Sequence, residues 1–456
     1  MPLEESATED KNLQVDLILY NGKIYTPKGF VEAGIAIEKG RIFKVAKETN
    51  LPKASSKLNL NGHIVLPGLI DSHVHLRGQN RAYREDFFTG TAAAAAGGFS
   101  VVMDMPNNKP VTMDVQSLRE RMKLAEKRVL VNVAFYSAFP ETLKEIRSVV
   151  REGAVAFKLF LLEKIGGLNI DDDTAVLRGF SEVKKANVPV AVHAEDKDAF
   201  ESKMKRMQNE NRNDIDAYLE AHSSDVEVKA VQRIIGLAEK SEAHVHFCHI
   251  SSAKSLNLIR RAKGTGVNIT CEVTPHHLLL TTQDLKRYKN LAVTLPPART
   301  GEDMKALWDA LKQSLIDTLG SDHAPHVVEE KKPESVWEVK PGIAGLETTL
   351  PLMLTKVNKG RLTIAELVQL TSKKPAEIFR LNDRGTLSKG CYADLVVVDI
   401  KREHKIDSSR FHSKAKFSPF DGWKVKGKPV KTFVNGRLVM DEGEIVVKPG
   451  TGQIMR

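Results

Sequence analysis

Residues 67–98, PGLIDSHVHLRGQNRAYREDFFTGTAAAAAGG, contain the pattern that decides the fold. At its centre, His73 and His75 are separated by one residue inside an apolar run that is typical of a buried strand. Side chains two positions apart on a strand point to the same face, so the two imidazoles project side by side, as metal ligands from one strand must. A lone His-x-His pair is more often structural. The metal interpretation therefore depends on ligand-type residues elsewhere in the chain.

The composition is that of an ordinary globular enzyme. The chain has 456 residues, 41% hydrophobic and 28% charged, which suits two domains or one large barrel with an addition. No apolar run approaches the ~18 residues of a membrane span. Residues 1–14 are acidic and polar, unlike a signal peptide.

Charge and cysteine usage exclude two further classes. The net charge is +10, but lysines and arginines are scattered among acids, which favours a solvated surface over a nucleic-acid-binding one. Cys248, Cys271 and Cys391 form no Cys-x-x-Cys pair, which argues for a reducing compartment. We therefore expect a cytoplasmic protein that binds neither nucleic acid nor membrane.

The order of the elements predicts an α/β fold, a (β/α)8 TIM barrel with a small β-sandwich domain formed by both chain ends. Residues 16–48 and the C-terminal stretches YADLVVVDI and VKTFVNGRLVMDEGEIV read as hairpins with Asn-Gly turns. Between them, strand and helix patterns alternate, as in a barrel. The predicted domains are 1–66 and 385–456 for the β domain and 67–384 for the barrel. The predicted barrel strands are 64–75, 100–105, 129–135, 154–160, 188–193, 244–250, 267–273 and 316–321, with helices that include 115–127, 173–186, 226–240 and 253–263.

Further residues of metal-ligand type lie in or at the ends of other predicted strands. Each has a structural explanation when taken singly: a lysine reaches the surface, a histidine satisfies a local hydrogen bond, an aspartate caps a helix. Because barrel strands deliver their chemistry to one mouth, six such residues together indicate a common site. The predicted metal ligands are His73, His75, Lys158, His193, His249 and Asp322.

This ligand set predicts a chemistry. Imidazole and carboxylate ligands suit zinc, with manganese or cobalt as alternatives. Burial disfavours an ammonium group, and the neutral amine of Lys158 can react with carbon dioxide to give a carbamate that bridges two metals. We expect two Zn²⁺ per subunit, bridged by carboxylated Lys158 and holding a hydroxide. Asp322 would ligate one metal and carry the proton of that hydroxide to a leaving nitrogen.

The chain resembles the amidohydrolase superfamily and, within it, the type I dihydroorotases. The motifs that carry the resemblance span nearly the whole chain: LPGLIDSHVHLR, MDMPNN, VHAE, HFCHISSA, EVTPHHL, SDHAPH, PGIAGLE, KKPAEIF and KGCYADLVVVD. The resemblance implies reversible hydrolysis of (S)-dihydroorotate to N-carbamoyl-L-aspartate in de novo pyrimidine (UMP) biosynthesis. It also implies a binuclear metal centre, and we expect a homo-oligomer.

The same resemblance assigns substrate contacts. Arg77 matches the arginine that holds the substrate carboxylate, a group that suits a guanidinium fork. Asn107 and His326 match further contacts to that carboxylate, and Gly342 matches a backbone contact to the ring. His276 and His277 are interpreted as packing and supporting residues.

Several departures from the family pattern keep other functions open. Residues 294–297 read Thr-Leu-Pro-Pro where an Asn-Pro-Pro segment is usual, so Leu295 replaces a substrate contact. Residues 78–80 read Gly-Gln-Asn in place of Asp/Glu-Pro-Gly. Many relatives carry aspartate where this chain has Lys158, and the lysine form resembles the hydantoinase and allantoinase branches. The alternatives are therefore an allantoinase or a dihydropyrimidinase/hydantoinase-type enzyme and, in another class, a non-catalytic assembly partner of aspartate transcarbamoylase.

Overall fold

A computed structural model describes residues 14–456 of the chain, and within this range the strands form two sheets. The expectation about a signal peptide falls almost wholly on residues 1–13, outside the described residues. None of the helices in the described range combines the length and apolarity needed to cross a membrane. In chain order the strands are β1 (Gln14–Thr26), β2 (Gly29–Glu38), β3 (Arg41–Ala46), β4 (Lys53–Asn59), β5 (Ile64–Pro67), β6 (Leu69–Val74), β7 (Phe99–Asp104), β8 (Asn132–Ala138), β9 (Ala154–Phe160), β10 (Val190–His193), β11 (Val245–Phe247), β12 (Ile269–Val273), β13 (Thr318–Leu319), β14 (Leu395–Lys405), β15 (Lys424–Val434), β16 (Arg437–Asp441) and β17 (Glu444–Ile445).

Helices fill the connections between barrel strands. They are α1 (Phe87–Ala96), α2 (Val115–Glu126), α3 (Ile146–Glu152), α4 (Asp173–Ala186), α5 (Lys197–Asn209), α6 (Ile215–Ala221), α7 (Ser224–Ser241), α8 (Ala253–Gly264), α9 (Pro275–Leu279), α10 (Thr282–Tyr288), α11 (Gly301–Lys312), α12 (Leu346–Asn358), α13 (Ile364–Val368) and α14 (Lys374–Ile378). Short 3₁₀ turns occur at Glu48–Asn50, Gln79–Arg81, Leu143–Glu145, Lys289–Ala292, Val328–Lys331 and Ser408–Arg410, and a π-helical turn occurs at Gln369–Lys373.

Strands β6 to β13 pair in sequence order, and every pair is parallel. A parallel bridge between Val74 and His323, with the His75 N–H donating to the His323 carbonyl at 2.8 Å, brings the first strand to the end of the last. The strands are apolar and almost entirely buried because helices cover the barrel. The predicted eight-stranded barrel is confirmed.

The two chain ends form the second sheet. Its strands run in the order β17-β16-β15-β14-β5-β1-β2-β3, with β4 added to β1. The pairing of β5 with β14 joins the N-terminal strands to the C-terminal ones, which confirms that one β domain contains both ends. Its core is built from residues such as Ile35, Val65 and Leu395. The exact domain boundaries remain a prediction.

The stretch 64–75 differs from its prediction as one strand. Pro67 ends β5 in the sheet of the chain ends, and Leu69 begins β6 in the barrel. Gly68 lies between them, where a Cβ atom would come within 2.4 Å of the Ser100 hydroxyl oxygen. The chain thus passes from one sheet to the other at Gly68, where a side chain would not fit. Strand β6 then places His73 at the mouth of the barrel.

The alanine run of α1 packs closely against the barrel and α12. Ala92–Ala95 are at most 2% exposed. A side chain on Gly97 would lie 2.2 Å from the Leu346 carbonyl oxygen. Small residues are needed here because the two helices approach each other closely. The loop that follows His75 leads directly into α1.

Candidate active site

A cavity of about 690 Å³ lies at the carboxyl ends of the barrel strands. His73 belongs to β6 and His193 ends β10, whereas His249 and Asp322 follow β11 and β13 by a few residues. All four line the cavity, as does His75. The parallel barrel therefore collects ligand-type side chains that are up to 250 positions apart at one opening.

The first group of ligand-type atoms surrounds Asp322. The Nε2 atoms of His73 and His75 lie 3.4 and 3.3 Å from the same Asp322 oxygen. All three residues are buried, and their donor atoms lie within 4.8 Å of one another. Three oxygen and nitrogen donors that converge in this way suit a divalent cation with open positions.

The second group joins His193 and His249. Nδ1 of His193 lies 3.1 Å from Nε2 of His249. The His249 ring is 5.2 Å from the His73 ring, so the two groups are neighbours. The Lys158 side chain is 1% exposed, and its amine donates to the Cys248 thiol at 3.0 Å and lies 4.8 Å from the Phe160 ring centre. Within residues 14–456, no carboxylate oxygen lies within ion-pair distance of this amine.

Burial keeps three of the imidazoles neutral. It lowers the pKa of His73, with the Lys158 charge as the next cause, and it lowers the pKa of His75 and His249 well below the usual value. Burial also raises the pKa of Asp322. Neutral imidazoles present free lone pairs, which are what metal ligation requires. This donor set, with the buried amine of Lys158 nearby, fits a site for a divalent cation.

Polar residues that are not proposed ligands contact the ligand side chains and orient them. Nδ1 of His73 lies 2.8 Å from a Glu272 oxygen, and Ser72 donates to the other Glu272 oxygen at 2.8 Å. Burial opposes the charge of Glu272, but contacts with His73 and His246 hold its pKa well below the usual value. Such contacts fix the tautomer and the direction of a ligating histidine.

His193 has an equivalent partner. Glu195 bridges Nε2 of His193 at 3.0 Å and Nδ1 of His222 at 2.8 Å. The His222 ring lies between the rings of Phe200 and Tyr218, with centre distances of 4.2 and 4.4 Å. The carboxylate therefore links a ligand to a histidine in the cavity wall.

Sequence reasoning singled out none of Glu195, Glu272, His222 and Cys248 as functional residues. The signals were available for the two carboxylates, because Glu195 follows His193 by two positions and Glu272 ends a strand as the ligands do. His276 and His277 lie in α9 beside the cavity. Nδ1 of His277 lies 2.8 Å from the Thr274 hydroxyl oxygen and Nε2 lies 3.1 Å from the Pro296 carbonyl oxygen, so both ring nitrogens contact residues other than the proposed ligands.

Arg77 and Asn107 lie beside the first ligand group. Arg77 is 6% exposed, and its Nε atom is buried without a hydrogen-bond partner. Burial and the nearby charges of Arg84 and Arg81 lower the pKa of Arg77 to about 9, so it remains a cation at neutral pH. The Asn107 side-chain oxygen contacts Nδ1 of His75 at 2.8 Å. This contact, unforeseen from the sequence, gives Asn107 a role in holding His75 and leaves its NH₂ group as a donor.

His326 and Gly342 lie together in the loop that follows β13, next to the loop that carries Arg77. Nδ1 of His326 lies 2.7 Å from a Glu330 oxygen, and Nε2 lies 3.4 Å from Nη2 of Arg77. Gly342 has φ +134°, and a Cβ there would come within 2.6 Å of Ala324. Its N–H donates to the Val293 carbonyl at 2.9 Å, so this amide is already engaged within the protein.

The side chains that line the cavity are of two chemical kinds. The cationic residues are Arg77, Arg81, Arg84, Lys109 and Lys340, and the apolar and aromatic residues include Phe160, Phe200, Met204, Tyr218, Leu295, Val336, Trp337 and Val339. An anionic group on a bound molecule would be attracted to the cationic side chains.

Comparisons with known proteins agree on the family. The family model described as "Amidohydrolase family" matches residues 64–439. A dihydroorotase of Methanothermobacter thermautotrophicus is 36% identical over 444 residues, covering 97% of this chain and 94% of that protein. An L-hydantoinase of Paenarthrobacter aurescens is 35% identical over 447 residues, covering 96% and 98%. The solved structure of "L-Hydantoinase (Dihydropyrimidinase) from Arthrobacter aurescens" has a TM-score of 0.93 and 34% identity, covering 97% and 99%.

Proposed function

The chain belongs to the amidohydrolase family and is a cyclic amidohydrolase, and we propose that it is a dihydroorotase. It interconverts (S)-dihydroorotate and N-carbamoyl-L-aspartate in de novo pyrimidine biosynthesis. The family is metal-dependent, and we propose two Zn²⁺ per subunit with carboxylated Lys158 as their bridge. His73, His75 and Asp322 would hold one ion, and His193 and His249 would hold the other.

One observation carries the choice of substrate. The guanidinium of Arg77 is buried beside the ligand cluster, still charged, with an unpaired Nε. An unpaired buried cation is costly, whereas a carboxylate bound beside it supplies charge-assisted hydrogen bonds. Dihydroorotate has such a carboxylate on its ring. The free NH₂ group of Asn107 is a second donor on the same side.

The residues of the site have separate roles in substrate binding and proton transfer. Arg77, Asn107 and His326 would hold the carboxylate, and Gly342 would contact the ring. When bound, the two cations lower the pKa of the attacking water and stabilise the oxyanion that develops at the ring carbonyl. Asp322, which lies between His73 and His75, takes the proton of the water and returns it to the departing ring nitrogen.

The direct test is turnover by zinc-loaded protein. We expect loss of dihydroorotate between pH 6 and 9, and formation of dihydroorotate from N-carbamoyl-L-aspartate at the acidic end. Arg77→Gln should raise the KM for dihydroorotate by roughly 100-fold, about the loss of one buried charged pair, and should spare the zinc content. Zinc-loaded protein that leaves dihydroorotate untouched across this range would reject the proposal.

A hydantoinase-type activity is the second candidate, and the apolar side chains of the cavity favour it. Leu295 lines the cavity where the family pattern has a polar contact, and Phe160 and Trp337 line the same cavity. A ring with a bulky apolar substituent would find apolar contacts there. Comparing kcat/KM for dihydroorotate, allantoin, dihydrouracil and a benzyl-substituted hydantoin separates the two, because the neutral rings make no use of Arg77.

The remaining proposals concern assembly and location. We propose that the protein is cytoplasmic and forms a homo-oligomer. A mass measurement in solution would test the number of subunits. A non-catalytic partner of aspartate transcarbamoylase is the alternative of another class. It has no need of six convergent ligands, so bound zinc with turnover excludes it, and metal-free, inactive protein that binds the transcarbamoylase favours it.

A further inference from the structure

Glu330 makes three contacts that the proposed reaction does not use. One oxygen lies 2.7 Å from Nδ1 of His326. The other accepts from Arg84, with Nε at 2.8 Å, and from the Tyr83 hydroxyl at 3.1 Å. Burial disfavours the charge of Glu330, but the contacts with His326 and Arg84 outweigh it and lower the pKa to about 2. The carboxylate is thus ionised throughout the pH range of an assay.

These contacts join two neighbouring loops at the rim of the cavity. Tyr83 and Arg84 lie in residues 75–86, between β6 and α1, together with Arg77. Glu330 and His326 lie in residues 320–345, between β13 and α12. Glu330 thus receives two side chains of the first loop, in addition to the contact between Glu85 and His323 at 3.5 Å.

The contacts also form a line that ends at Arg77. The ionised Glu330 accepts from Nδ1–H of His326, which leaves Nε2 of that ring to face Nη2 of Arg77 at 3.4 Å and the Pro341 carbonyl oxygen at 3.0 Å. The Arg77 guanidinium has few other restraints, because its Nε is buried without a partner. Its direction therefore depends on His326, and the direction of His326 depends on Glu330.

We propose that Glu330 is a positioning residue that gives the site its preference for rings bearing a carboxylate. It acts through His326 and Arg77 and touches neither the substrate nor the metal ligands. The inference rests on the proposed function, because it assigns Arg77 to the substrate carboxylate. A fixed guanidinium binds a carboxylate without losing side-chain entropy, so Glu330 should affect binding more than the chemical step.

Glu330→Gln tests this, with Glu329→Gln as the matched control. Glu329 lies in the same 3₁₀ turn, is exposed, and contacts Lys332 at 3.6 Å. On zinc-loaded protein, we expect Glu330→Gln to raise the KM for dihydroorotate and the Kd for orotate about tenfold, as for one charge-assisted hydrogen bond. The kcat should change less than threefold. Turnover of dihydrouracil and zinc content should stay unchanged, and Glu329→Gln should match the parent throughout.

A second comparison separates positioning from a general structural effect. In an Arg77→Gln background, Glu330→Gln should change the Kd for orotate less than twofold, because the group that it positions is gone. Equal losses with and without Arg77, equal losses for charged and neutral rings, or no loss at all would overturn the inference. If the parent neither binds orotate nor turns over dihydroorotate, the proposed function fails as well. An active parent with an unaffected Glu330→Gln variant rejects the inference alone.

Discussion

Breaking the buried ion pair of Asp104 and Arg121 should loosen the loop that carries the substrate arginine. Arg121 is fully buried, and its Nε and Nη2 donate to one Asp104 oxygen at 3.0 and 2.6 Å. The other Asp104 oxygen accepts from the Leu76 N–H at 2.8 Å, and Nη1 of Arg121 donates to the Arg77 carbonyl. The pair therefore holds the backbone on both sides of the bond between Leu76 and Arg77, where φ of Arg77 is +52°.

The expected magnitude follows from this burial. Arg121→Met leaves the Asp104 carboxylate buried and unpaired, which costs about 3–5 kcal/mol out of a typical ~5–15 kcal/mol for a folded domain. Asp104→Asn in the same chain removes the stranded charge. The double variant should therefore be more stable than Arg121→Met alone by at least ~1.5 kcal/mol.

The pH dependence has a defined sign. Burial raises the pKa of Asp104 in the native protein above its usual value of 3.8, although Arg121 opposes the shift. Without Arg121 the native pKa rises further, so the native state binds a proton that the unfolded state has released. The destabilisation is thus full at neutral pH and is relieved as the pH falls towards 4.

Urea unfolding of the parent, Arg121→Met and the double variant at pH 5 and pH 8 measures these stability differences and their pH dependence. KM for dihydroorotate in Arg121→Met should rise with little change in zinc content. A stability loss under 1 kcal/mol at pH 8, or a double variant no more stable than Arg121→Met, would refute the reasoning.

Three other perturbations have definite expected outcomes. Glu272→Gln weakens the contact that fixes His73, so zinc affinity measured by chelator competition should fall about 10–100-fold, and unchanged affinity would contradict this role. Burial raises the pKa of Glu347 to about 7, so the contribution of this carboxyl to stability falls as the pH rises from its usual pKa of 4.5 to about 7. In Glu347→Gln, that decline, measured by urea unfolding between pH 5 and 8, should shrink by about 1–3 kcal/mol, whereas an equal slope in both proteins would be contrary to expectation. Removing residues 450–456 deletes two backbone hydrogen bonds of 2.9 Å that join Val133 to Gln453 and Met455. The free energy of unfolding should fall by about 2 kcal/mol, measured by thermal unfolding. An unchanged thermal midpoint would contradict this expectation.

The barrel could be predicted from the sequence because its strands are buried on both faces and are separated by amphipathic helices. The four helices predicted in detail correspond to α2, α4, α7 and α8. The change of sheets at Gly68 could not be foreseen, because residues 64–70 on both sides of it carry no polar side chain and either sheet would bury them. Only the close approach of Ser100, which is distant in sequence, shows why the strand divides there.

The candidate site was predictable at the residues that face the cavity and less so behind them. The six proposed ligands follow from residue type and from place on the strands. The roles of Glu195 and Glu272 depend on which histidine nitrogen faces which carboxylate, and that geometry arises only when distant strands pair. The contact of Asn107 with His75 likewise depends on a loop conformation that no local sequence pattern encodes. The same is true of the contacts that link Glu330 to Arg77 through His326.

The central claim is that distant ligands converge on a pair of cations beside a buried arginine. Anomalous diffraction at the zinc edge, from crystals of zinc-loaded protein grown with dihydroorotate, tests it most directly. The account predicts two peaks, one among His73, His75 and Asp322 and one at His193 and His249, with density for a carbamate on Lys158 and the ligand carboxylate on Arg77. No peak at these side chains, or a ligand bound away from Arg77, would contradict it.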